Sequence, residues 1–178
     1  MEENRAEQLL FLWEKISEGE IRLLRVFGEQ PVATVPGFID GRCVREPGDY
    51  CFSRRKLPEN EIRYSRYCGG MWESGLSVLK DKEKKDRISS EQEENIISLE
   101  TIERDGKLHE LSEKYIKEVQ LPADIVKIGS CAFYNCTKME RISVYPKLVE
   151  VGSDAFMNCL NLRSLRMCAG VEEPTGLK

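Results

Sequence analysis

One pattern of apolar and polar positions is written twice in succession. Residues 116–138 read IKEVQLPADIVKIGSCAFYNCTK and residues 139–161 read MERISVYPKLVEVGSDAFMNCLN. LRSLRM, at 162–167, begins a third copy. The period is 23 residues, so Ile116, Val119 and Leu121 align with Met139, Ile142 and Val144, and then with Leu162, Leu165 and Met167. A fixed period of roughly 20 to 50 residues marks a solenoid, in which each coil covers the apolar edge of the next. Val119 and Leu121 are two apart and share one face of a strand, while Gln120 points the other way. Ile125 and Ile128, matched by Leu148 and Val151, fill the next inward side of the coil. Gly129 and Gly152 are read as sharp turns that glycine makes without steric cost. Ala132-Phe133 and Ala155-Phe156 then place a small and a large apolar group inside a short helical turn. Asn135 and Asn158 are expected to hydrogen-bond backbone at the corner, and Cys136 and Cys159 to close the coil as small apolar groups.

The stretch LPADIVKIGSCAFYNCTKMERI resembles the BspA-like bacterial leucine-rich repeat, whose coils run leucine-proline, an Ile-Gly turn, Ala-Phe, then Cys. The resemblance spans 116–167 and implies an α/β leucine-rich-repeat solenoid of 23-residue coils. It also implies bacterial origin and interaction roles, often at cell surfaces. A divergent first repeat is visible at 36–56. There Val35-Pro36 resembles Leu121-Pro122, Val44 resembles Ile125, and Gly48 with Phe52 resembles Gly129 with Phe133. Pro47 and Cys51 depart from the usual isoleucine and alanine, and the extra residues before the turn include the tight-turn pair Asp40-Gly41.

Residues 1–35 are expected to cap the N-terminal end of the solenoid. Leu9, Leu12, Trp13 and Ile16 fall on one helical face, which predicts a helix over 4–17 with Asn4 and Glu7 at capping-box spacing and Gly19 as its stop. EIRLLRVFG (20–28) reads as a strand that turns through 29–31 into a second strand near 32–35, completing a helix and hairpin cap. Residues 57–113 fall outside the period and read as an irregular insertion. Within it KDKEKKDR (80–87) is charged throughout, so a mobile segment is expected at about 75–96. SLETIERDGKLHELSEKY (98–115) reads as a strand, a turn at Asp105-Gly106 and a degenerate coil. Residues 114–178 hold the repeats and a tail, CAGVEEPTGLK, in which no cap is recognisable. The expectation is a native chain that continues further, or else a partner or a second copy of this chain covering the open coil.

Composition narrows the function. Of 178 residues 40% are hydrophobic and 33% charged, with a net charge of −4, so no basic footprint points to nucleic acid. No apolar run approaches the roughly 18 residues of a membrane span, so no membrane insertion is expected. MEENRAEQLLFLWEKISEGE has acids where a signal peptide is basic. That absence, and the odd count of seven cysteines, predict reduced thiols in a cytoplasmic protein. Cys136 and Cys159 occupy equivalent places in neighbouring coils, within disulfide reach, but a ladder of buried thiols suits a reducing compartment better. Cys131 aligns with Asp154 and is expected to point outward. No CxxC occurs and His109 is the single histidine, so neither a metal nor a cofactor site is expected. His109 stands in a charged stretch with no triad frame around it. Gly69-Gly70 lacks the Lys-Ser or Lys-Thr of a phosphate loop.

What remains is the outward face of the repeat strands: Glu118 and Gln120, Arg141 and Ser143, Ser164 and Arg166, with Lys117, Glu140 and Arg163 beside them. The expectation is a non-catalytic module that recognises a protein or peptide on this face. A structural scaffold, or a fragment of a longer repeat protein, is the alternative. An enzyme with a site among Cys68, Trp72 and His109 is the third reading.

Overall fold

The computed structural model describes residues 9–54, 57, 62–68, 70–78, 95–98 and 108–168. Fourteen strands are assigned among them. The repeat forms a stack of three-sided coils. The first side is a parallel sheet of β3 (Val32–Thr34), β10 (Glu118–Gln120), β12 (Arg141–Val144) and β14 (Ser164–Met167). The second is built from β5 (Arg42–Pro47), β11 (Lys127–Ile128) and β13 (Glu150–Val151), with Val126 N–H donating to the Arg45 carbonyl at 2.9 Å and Gly129 N–H to the Pro47 carbonyl at 2.9 Å. The third side is turns, at 50–54, 131–136 and 154–159.

The register bears out the 23-residue period. Glu118, Val119 and Gln120 pair with Arg141, Ile142 and Ser143, which pair with Ser164, Leu165 and Arg166. The same register brings an earlier coil into the stack. Val32, Ala33 and Thr34 pair with Glu118, Val119 and Gln120, which sets Val35-Pro36 level with Leu121-Pro122. Phe52 N–H donates to the Ala132 carbonyl just as Phe133 N–H donates to that of Ala155, at 2.8 Å each. The residues inserted after Pro36 form β4 (Phe38–Ile39), which pairs with β5 across Asp40-Gly41. Both turn residues have positive φ, 50° and 76°, the geometry that closes a two-residue hairpin.

The third side is not helical, and no helix occurs among the described residues. Its N–H groups alternate between two destinations. Those of Ala132, Tyr134 and Cys136 bond three residues back within the coil, while those of Cys131, Phe133 and Asn135 reach Ser153, Ala155 and Met157 of the next coil. Cys131 (φ 55°) and Asn135 (φ 62°) are left-handed, as are Asp154 (57°) and Asn158 (61°). Left-handed residues at that spacing cannot propagate an α-helix. The α/β expectation therefore gives way to an all-β solenoid. Gly129 and Gly152 have a different reason from the turn expected of them. A Cβ on Gly129 would lie 2.5 Å from the Asp49 amide nitrogen, and one on Gly152 2.4 Å from that of Ser130. Glycine is required because neighbouring coils touch backbone to backbone there.

The N-terminal end is capped by a sheet. Residues 9–17, read as helix, form β1 (Leu9–Ser17), which pairs with β2 (Glu20–Gly28) across Gly19 (φ 76°). Residues 4–8, with Asn4 and Glu7, lie outside the described residues. A continuous apolar run is ambiguous between helix and strand, and here five consecutive residues are buried because both strand faces are covered. Leu9, Phe11 and Trp13 join Ile21, Leu23 and the coil interiors in one core. Leu10 and Leu12 join Leu24, Phe27, Ile62 and Tyr64 in a second. The hairpin expected between 20–28 and 32–35 does not form, because β3 goes to the coil sheet instead. Both strands exist, but β2 pairs with β1, β5 and β9 (His109–Glu110).

Part of the stretch read as irregular is ordered. β6 (Ile62–Cys68) pairs with β1 and with β7 (Met71–Val78), and β7 pairs with β8 (Asn95–Ser98). So 75–78 and 95–96, at the ends of the expected mobile segment, lie in strands, whereas 79–94 and the Asp105-Gly106 turn fall outside the described residues. The period could not find these strands because they belong to the capping sheet. Trp13 fixes its layers. The indole N–H donates to Ser65 Oγ at 2.9 Å, Ser65 and Ser74 hydroxyls bond at 2.6 Å, and Ser74 donates to Asp40 at 2.7 Å. The Arg42 guanidinium lies 4.8 Å over the indole ring. Buried Arg25 of β2 is held by Glu110 of β9.

Replacing Gly129 by alanine forces two backbones apart and is expected to lower the unfolding free energy by about 3 kcal/mol, read from the urea midpoint. Gly37→Ala, whose nearest neighbour to a new Cβ is 3.8 Å away, is expected to stay within about 0.5 kcal/mol or to stabilise.

Candidate binding surface

Parallel pairing in register puts like positions of successive coils side by side, about 4.8 Å apart. On the outward face of the coil sheet this makes two rows. One runs Val32, Glu118, Arg141, Ser164 and the other Thr34, Gln120, Ser143, Arg166. All six residues expected to bind a partner therefore share this face. Glu118, Gln120 and Ser143 are half-buried by their neighbours, and Arg141, Ser164 and Arg166 are exposed. A hydrogen-bonded chain orders the first coils of the face. Thr34 Oγ1 donates to Gln120 Oε1 at 3.3 Å, and Gln120 Nε2 donates to Glu118 Oε1 at 3.1 Å. Beyond it the face turns basic, with Arg141, Arg163 and Arg166.

The interior behind this face is also a ladder. The rings of Phe52, Phe133 and Phe156 stack with centroids 4.9 and 5.2 Å apart and planes within 5° and 3°. The Cys136 thiol donates to the Phe52 carbonyl at 3.2 Å and the Cys159 thiol to that of Phe133 at 3.1 Å. These cysteines are free thiols. The corner asparagines bond to each other, Asn158 Nδ2 donating to Asn135 Oδ1 at 2.8 Å. The backbone bond expected of them is replaced by this side-chain rung, and the left-handed backbone at both positions explains why asparagine is used. Burial pushes the Cys51 thiol up to about 12 and the Cys159 thiol to about 11, and raises Cys136 further. Cys131 is half-exposed, with its thiol 3.8 Å from the Ser153 carbonyl.

A cleft of about 460 Å³ is lined by Arg54, His109, Glu110, Ser112, Lys114 and Tyr115 among others. The His109 ring packs on Tyr115 at 4.8 Å between centroids, and Tyr115 donates its hydroxyl to the Glu29 carbonyl. Glu110 is committed to Arg25, and the buried Ser112 hydroxyl has no hydrogen-bond partner. Trp72 packs against Phe11 and Tyr67 instead of His109. Trp72 and His109, two residues of the third reading, thus have separate structural partners, and no nucleophile is joined to His109 among the described residues. No cluster of His, Cys, Asp or Glu suited to a metal occurs among them, and no helix is long and apolar enough to cross a membrane. The basic patch at the far end of the coil sheet had no sequence signal beyond the period, because Arg141, Arg163 and Arg166 meet only when the coils stack.

Residues 109–174 match the family described as BspA type leucine rich repeat region (6 copies). No curated protein and no solved structure matches the chain. This part of the chain is therefore a repeat of the BspA-like leucine-rich family, and the coil at 31–54 extends the same stack beyond the matched residues.

The thiols set a pH dependence. A thiol raised from 9.0 to about 12 in the fold keeps its proton where the unfolded chain has lost it. Stability is therefore level below pH 9 and falls as pH rises through the interval up to about 12. At pH 8 a thiol reagent is expected to modify Cys131 while Cys51 and Cys136 react only after urea unfolding, as read by mass-spectrometric mapping.

Proposed function

We propose that this protein is a non-catalytic recognition module that binds a protein or peptide on the outward face of the β3–β10–β12–β14 sheet. The fold supports a repeat-based interaction module or scaffold, and the finer reading rests on one observation. Glu118, Gln120, Arg141, Ser143, Ser164 and Arg166 form a two-row array of polar side chains at fixed spacing on a rigid parallel sheet. Such an array offers directional contacts at little ordering cost, since the backbone beneath it is already fixed. The free thiols buried between coils suit a reducing, cytoplasmic setting. The alternative, a scaffold that only positions other domains, needs no contact from this array.

The test places Glu118→Lys and Ser143→Glu together on the two middle strands. A partner captured from native cell extract by the wild type and lost by this variant, with both giving the same circular dichroism, is the expected result. Equal capture by both would sink strand-face recognition and leave the scaffold.

A further inference from the structure

We draw no further inference here: the strongest candidate, the cleft lined by Arg54, His109, Lys114 and Tyr115, carries nothing, because its cations are exposed surface side chains and the unpartnered hydroxyl on its wall, that of Ser112, is sealed from solvent where no ligand reaches it.

Discussion

Backbone contact between successive coils is the constraint on which the structure depends. At Gly129 and Gly152 there is no room between neighbouring coils for a single added carbon. That closeness lets every second N–H of the turn side reach the next coil, and brings the rings of Phe52, Phe133 and Phe156 into a parallel stack. It also places each coil-closing thiol against a carbonyl one coil back. The rungs are the same physical environment repeated, which is why the residues repeat.

The N-terminal end of the stack is closed by the capping sheet. The first coil shares β5 with the capping sheet, so the solenoid wall and the cap are one hydrogen-bonded system rather than two domains in contact. β1 carries apolar residues on both faces and serves two cores at once. Arg25 is buried between these layers with Glu110 as its partner, and loss of either would strand a charge at the junction of cap and first coil. Nothing comparable covers β14 among the described residues.

How far the site was legible depends on which residues repeat. The outward rows could be written from the period alone, since parallel in-register pairing converts a 23-residue spacing into adjacency. The equivalence of Val35-Pro36 with Leu121-Pro122 was legible for the same reason, despite the hairpin inserted after it. The capping strands were not. Leu9–Trp13 satisfies a helical face and a doubly buried strand equally well, and β6, β7 and β8 have no repeat to announce them. The hairpin expected after β2 failed because the choice of sheet for Val32–Thr34 is made by Glu118–Gln120, more than eighty residues away.

The sequence by itself determined the coil: its period, its inward residues, its paired phenylalanines and cysteines, and the rows that face outward. Each of these is a local pattern copied at constant spacing, so translation by one coil is enough to derive it. The tertiary structure alone decided that the turn side is non-helical, that the glycines answer to a neighbouring backbone, and that the cap is a sheet. Those features depend on what lies against a residue rather than on the residue's own neighbours in sequence, and no periodicity records that.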